Sequence, residues 1–281
     1  MIYTETIDKT KEAVSRARKE GKKIGFVPTM GALHEGHIAL VQGAARENDF
    51  VVVSIFVNPI QFNNQEDLKR YPRNIAGDKQ MLEDMDCDLL FHPGVKEMYP
   101  EEVSVEYDFG ELDKVLEGKF RPGHFKGVAV VVKRLFDIVE PDNAYFGEKD
   151  YQQLQIVREL VRKEDIPVNI RAYPTLREAD GLAMSSRNKN LSEEERKIAS
   201  VLYNTLSKAK SMAFRRPVDE IKEWANKQIN NYQAFDVEYF EIVDGETLKS
   251  VQNLEAGNKY VFLVAAHLGK VRLIDNVIIN S

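Results

Sequence analysis

The chain has 281 residues, 43% hydrophobic and 30% charged, an ordinary balance for a globular protein with room for a sizeable core and two domains. Its 39 Lys and Arg face 45 Asp and Glu, for a net charge of −6 and a pI near 5.6, which argues against a protein that lives on nucleic acid. The single cysteine excludes an intramolecular disulfide framework, and no apolar run approaches the roughly 18 residues of a membrane span.

Residues 1–23 predict a charged amphipathic helix without the apolar core of a signal peptide, so a cytoplasmic location is expected. Residues 23–27 read as a buried strand whose ladder Pro28 stops. From Gly36 onward Ile38, Val41 and Ala45, with Leu40 and Ala44 beside them, recur at helical spacing and predict a helix over 37–47. Residues 50–57 (FVVVSIFV) are apolar but for Ser54, as expected of a central parallel strand covered on both faces. A helix near 75–85 and a strand over 88–92 follow. Residues 128–139 are apolar almost all round and read as a buried helix, although the valine run also suits a strand. Then come a short strand at 143–146, a helix at 151–162 and a strand at 168–173.

This alternation predicts an α/β fold with a doubly wound parallel sheet, whose ligands sit beyond the carboxyl ends of the strands. After Leu176 the rhythm changes. Helices near 192–213 and 218–231 precede strand runs at 235–243, 260–266 and 272–279, as in a second, smaller α+β C-terminal domain. The division expected is residues 1–176 and 177–281, with the polar stretch 177–190 a mobile hinge or lid.

The chemistry gathers where strands end. His34 and His37 follow Gly31 and precede a helix, where unpaired N–H groups and the macrodipole favour an anion. Zinc is the alternative, but the spacing is one residue short of His-Glu-x-x-His. No G-x-x-x-x-G-K-[ST] loop and no G-x-G-x-x-G is present, so a nucleotide needs another grip. Lys149, in Gly147-Glu148-Lys149-Asp150, either aims at a phosphate or sits in a solvated turn capped by Asp150. Met184-Ser185-Ser186-Arg187 offers two hydroxyls and a guanidinium, which suit phosphate oxygens or an ordinary surface loop. Asn58 and Gln61, in NPIQF, and Gln152 and Gln153 after Lys149 carry amides fit for a substrate with carboxylate and hydroxyl groups, or for turn-making. His124 either reaches the same site or caps a helix.

PTMGALHEGH, SIFVNPIQF, RPGHFKGV, FGEKDYQQL and READGLAMSSRN occur in one order and spacing, and with them the chain closely resembles the pantothenate synthetase (pantoate–β-alanine ligase) family over essentially its whole length. The resemblance implies a Rossmann-like nucleotidyltransferase domain and a two-step ligation. Pantoate attacks the α-phosphorus of MgATP to give pantoyl adenylate, and β-alanine then displaces AMP to form pantothenate. It assigns Met30, Gly31, Ala32, Leu33, His34, Glu35, Gly36, His37, Gly147, Glu148, Lys149, Asp150, Leu176, Met184, Ser185, Ser186 and Arg187 to ATP, and Gln61 and Gln153 to pantoate, Gln61 also to β-alanine. His37 is the family's proton donor, although a neutral hydrogen-bond donor would serve equally. Leu176 stands where valine is more usual. His34, Lys149, Ser185, Ser186 and Arg187 join His37 as the groups that stabilise the transferring phosphate. Mg2+ arrives with ATP; its direct protein ligands are unknown. The implied partners are these small molecules, with no nucleic acid or membrane, and the assembly implied is a homodimer. The rivals are a related adenylyl or cytidylyl transferase with another acceptor, and a non-catalytic nucleotide sensor. An aminoacyl-tRNA synthetase is disfavoured by the acidic pI and the lack of room for an anticodon domain.

Overall fold

The computed structural model describes residues 1–280. By their internal contacts these form two units, residues 1–148 with 153–174, and residues 149–152 with those from 175 onward.

In chain order the first unit begins with β1 (Ile2–Thr4), α1 (Ile7–Lys19), β2 (Ile24–Thr29), α2 (Glu35–Glu47) and β3 (Phe50–Ile55). It continues with α3 (Gln65–Arg70), α4 (Ile75–Glu83), β4 (Leu89–Phe91), α5 (Val95–Met98), α6 (Glu117–Phe120), α7 (His124–Val139) and β5 (Asn143–Gly147). Most of α8 (Tyr151–Lys163) and all of β6 (Asn169–Tyr173) complete it. The six strands are parallel, in the order β1-β4-β3-β2-β5-β6. Phe26, Val52, Leu89 and Phe91 point to one face and pack with Phe136, Val132 and Leu160. Their strand neighbours Val27, Val51, Val53 and Leu90 point to the other and pack with Val41 and Leu82. Both faces of β3 are thus covered, which accounts for an apolar run that only Ser54 interrupts. Each fully buried side chain of this size contributes roughly 1.5–3 kcal/mol.

The second unit holds α9 (Glu193–Ile198), α10 (Val201–Met212), α11 (Val218–Asn230), β7 (Phe235–Asp244), β8 (Lys259–Leu268) and β9 (Val271–Asn280). The three strands form an antiparallel sheet, with a bulge between Val237 and Tyr239. Leu202 and Leu206 of α10 and Ile221 and Ile229 of α11 pack on Phe240, Ile242, Phe262 and Val264.

Several sequence expectations change in detail. The chain starts with a strand, β1, before its first helix. Pro28 does not stop the ladder with β3, which runs on through Pro28–Ser54 to Thr29–Ile55, whereas pairing with β5 ends at Phe26. A proline removes only its own N–H, so it can end hydrogen bonding on one side alone. The helix at the histidines starts at Glu35, two residues early, so that His34 caps it and His37 lies within its first turn. Residues 128–139 are helix, within α7. The run 192–213 is two helices, broken at Ala199 and Ser200. Residues 177–190 carry local structure of their own. Glu178 N–H donates to the Leu182 carbonyl at 2.8 Å, Arg177 bridges to Ala183, and Ser186–Asn190 form a 3-10 turn.

Candidate active site

The decisive local structure is the passage from β2 into α2. Gly31 and Ala32 both adopt left-handed backbone, with φ of 78° and 50°. Glycine tolerates this at no steric cost, but alanine does not. The turn is pinned at each end. Thr29 Oγ1 donates to the Ser54 carbonyl at 2.8 Å and accepts from Gly31 N–H at 3.2 Å. The Asp78 carboxylate accepts from Ala32 N–H at 2.9 Å and from Leu33 N–H at 2.7 Å.

The chain then enters α2 through its own histidines. His34 is the N-cap; its Nδ1 accepts from Gly36 N–H at 3.1 Å, while His37 Nδ1 accepts from His34 N–H at 3.3 Å. This is a capping box built from two imidazoles, whose ring centroids lie 4.1 Å apart. A ring nitrogen that accepts a backbone N–H carries no proton, so each neutral ring bears its hydrogen on Nε2. The anion-binding reading shifts accordingly. Backbone N–H groups expected to be unpaired, those of Ala32, Leu33, Gly36 and His37, have partners within the protein. The donors this arrangement supplies are the imidazole Nε2–H groups and the positive end of α2. The zinc alternative gains nothing, because the Nδ1 atoms are engaged and no group of three or more His, Cys, Asp or Glu fit to hold a metal exists among the described residues.

A second cluster lies at the end of β3. Asn58 caps the 3-10 turn Pro59–Gln61. Asn58 Nδ2 donates to the Gly127 carbonyl at 3.0 Å and to Gln61 Oε1 at 3.2 Å, and Tyr99 Oη donates to Asn58 Oδ1 at 2.9 Å. Gln61 Nε2 lies 3.0 Å from Met30 Sδ, which joins the NPIQF segment to the β2–α2 turn. Gln61 is 6% exposed. His124, the first residue of α7, is also buried, and its Nδ1 lies 2.8 Å from the Gln61 carbonyl. Arg121 Nη1 lies 3.1 Å from His124 Nε2, and an arginine only donates, so His124 Nδ1 carries the hydrogen and donates to Gln61. His124 thus stands at the start of α7 and holds the backbone of Gln61. Gln153 sits half-buried in the first turn of α8, and Gly147 and Glu148 leave the end of β5.

The remaining expected residues belong to the second unit. Lys149 Nζ lies 3.9 Å from Asp150 Oδ2, and the Lys149 carbonyl accepts from Asn276 Nδ2 at 2.9 Å. Leu176 is exposed, and its carbonyl accepts from Met184 N–H at 3.0 Å. Ser185 caps the 3-10 turn by accepting from Arg187 N–H at 3.2 Å, and Ser186 is buried. Arg177 grips Asp275 through two bonds of 2.7 and 3.0 Å and stacks 3.8 Å over the Tyr203 ring. Burial pushes the Asp275 carboxyl above its usual range, and the Arg177 guanidinium pulls it back down.

The sequence profile of the pantoate-beta-alanine ligase family matches residues 2–278. The chain belongs to the pantoate–β-alanine ligase family. It is similar to the pantothenate synthetase of Fervidobacterium nodosum, 49% identical over 282 residues that cover 100% of each chain. The crystal structure of pantothenate synthetase from Thermus thermophilus superposes with a TM-score of 0.92 at 46% identity, covering 99% of both chains. That of pantoate-beta-alanine ligase from Francisella tularensis, complexed with beta-gamma ATP and beta-alanine, gives 0.81 at 39% identity over 99% of this chain and 97% of the other. The family and the α/β architecture with its smaller C-terminal sheet therefore hold as expected. No helix among the described residues is long and apolar enough to cross a membrane.

Within this pantoate–β-alanine ligase framework, sequence reading missed Asp78, Tyr99 and Gly127. Only Asp78 left a signal. It stands on the apolar stripe of α4, three residues after Ile75 and four before Leu82, where a carboxylate is out of place unless it is hydrogen-bonded.

Proposed function

We propose that this chain condenses pantoate with β-alanine at the expense of ATP, releasing AMP and pyrophosphate. In the first step a pantoate carboxylate oxygen bonds to the α-phosphorus and the bond to pyrophosphate breaks. In the second, the β-alanine amine attacks the acyl carbon, loses a proton, and AMP leaves. The observation that carries this reading is the imidazole capping box beside a buried substrate amide, linked through Met30 and Gln61. Two neutral Nε2–H donors at a helix N-terminus suit charge that develops on phosphate oxygens without a proton transfer. We therefore read His37 as a stabiliser of the transferring phosphate, with His34 beside it.

Met30 to His37 and Gly147 and Glu148 are assigned to ATP, as are Lys149, Asp150, Leu176, Met184, Ser185, Ser186 and Arg187. Gln61 and Gln153 are assigned to pantoate, and Gln61 also to β-alanine. Magnesium keeps most of its waters and is commonly held through nucleotide phosphates. It enters in this reading as part of the MgATP substrate. Residues 177–190 serve in this reading as the segment that screens the adenylate from water. ATP should then protect them from proteolysis, and equal cleavage with and without ATP would remove that role. Homodimer assembly and a cytoplasmic location are carried over with the family.

The test omits each substrate in turn. Pantoate and ATP alone should release pyrophosphate in a single turnover, and sustained AMP release should need β-alanine. Pyrophosphate release with another acid in place of pantoate would favour a related transferase, and binding of ATP without any turnover would favour a sensor.

A further inference from the structure

Asp78 sits in the first half of α4, is 3% exposed, and no side-chain cation is among its bonded partners. Its two carboxylate oxygens are each given to one of two consecutive backbone amides, Ala32 and Leu33. Those amides belong to the turn in which Ala32 holds a left-handed conformation that disfavours every residue with a Cβ. Strained backbone of this kind persists only when its surroundings over-determine it, and it concentrates at functional sites. A Cβ on Gly31 would come within 2.9 Å of Ile55 Cγ2 and 3.0 Å of Asp78 Oδ2, so the turn is pressed against both.

We propose that Asp78 is a positioning residue that holds the strained Gly31–Ala32 turn and thereby sets the placement of the His34–His37 pair. The geometry leaves little slack. His34 follows Ala32 by two residues, so a change of tens of degrees at Ala32 φ swings the N-cap imidazole by several ångströms, at about 3.8 Å of chain per residue. A displacement of about 1 Å is enough to cost on the order of a hundredfold in rate. A carboxylate is required because both of its oxygens accept. Asparagine has the same shape but presents one acceptor and one donor, so one of the two amides loses its partner and meets an N–H instead. The proposal rests on the reading of the histidine pair as the phosphate stabiliser, and its tests separate the two.

Asp78→Asn should lower the rate of pantoate-dependent adenylation by about 10²-fold while leaving the KM for pantoate within about threefold, since the Gln61 backbone is held independently by His124. Ala32→Gly, which relieves the left-handed strain, should recover activity about tenfold in the Asp78→Asn background and raise it less in the wild-type background. Nitrogen NMR of the rings gives a readout independent of turnover. The Nδ1 signals of His34 and His37 should move in Asp78→Asn as their caps loosen. Should Asp78→Asn not fold, hydrogen exchange on the wild-type enzyme decides, because the Ala32 and Leu33 amides must be among its protected ones. Unmoved ring signals in Asp78→Asn, a coupling of zero with Ala32→Gly, or rapid exchange at Ala32 and Leu33 would each overturn the proposal. Full adenylation by His37→Ala would instead overturn the role of the pair and leave the NMR coupling standing.

Discussion

His34 donates its backbone N–H to Nδ1 of His37 across 3.3 Å, while its own Nδ1 takes the N–H of Gly36. The two rings are therefore structural caps and candidate catalytic groups at once. One nitrogen of each belongs to the helix, and the other carries the ring hydrogen. Protonating both rings 4.1 Å apart would also set like charges against each other, at roughly 4 kcal/mol for an effective dielectric near 20.

His37→Gln keeps a hydrogen-bond donor but cannot titrate in the working range. It should retain at least about tenfold more adenylation activity than His37→Ala, which should lose about 10²–10³ in rate. Single-turnover pyrophosphate release measures both. Equal losses would mean that His37 moves a proton.

His34→Asn separates the two duties of the N-cap. Asparagine is among the best N-cap residues, so denaturant unfolding should stay within about 0.5 kcal/mol of the wild type, whereas His34→Ala should lose about 1 kcal/mol. Both should lose the imidazole contribution to rate. A stable His34→Asn enzyme with wild-type turnover would leave His34 a cap and nothing more.

Gly127→Ala tests the seat of Gln61. A Cβ there would lie 2.6 Å from Gln61 Cα and 2.7 Å from Gln61 N, and backbone atoms cannot step aside as a flexible side chain can. We expect the KM for pantoate to rise by about tenfold or more, with a stability loss of about 1–3 kcal/mol from overpacking. An unchanged KM in initial-rate kinetics would show that Gln61 does not hold pantoate.

Arg177→Ala strands a buried carboxylate. At pH 8 it should cost about 3–5 kcal/mol in denaturant unfolding, because Asp275 loses both of its guanidinium bonds. Burial raises the Asp275 carboxyl in the fold, so the native state holds that proton more tightly than the unfolded chain does. Its contribution is greatest below the unfolded value of about 3.9 and is lost as pH rises through the folded one. Removing Arg177 raises the folded value further, so the penalty should shrink between pH 8 and pH 5. A penalty equal at both pH values would contradict this.

Much of the fold was legible because burial on two faces writes itself as continuous apolar sequence, as in residues 50–53, and on one face as helical spacing, as in Ile38 and Val41. β1 was not, because three residues of an edge strand leave no period to read. The start of α2 was misplaced for a different reason. Histidine is not among the usual N-cap residues, so the pair read as preceding the helix rather than as its cap and first turn. At the site, Gln61 and the histidines stood out by residue type and position. Asp78 and Tyr99 act through partners 45 and 41 residues away in the chain, a relation that spacing does not encode.

The strand order has a consequence in time. β1, at Ile2–Thr4, pairs only with β4, at Leu89–Phe91, and so waits for roughly ninety residues of further synthesis before it has a neighbour. At about 5–20 residues per second that delay is on the order of 4–18 s, far longer than helix formation or local collapse takes. On the ribosome β1 therefore has no strand partner until β4 has emerged, whereas β2 and β3 can already pair. Throughout that interval the growing chain carries an open strand edge, which a chaperone, or a second nascent chain, could occupy first.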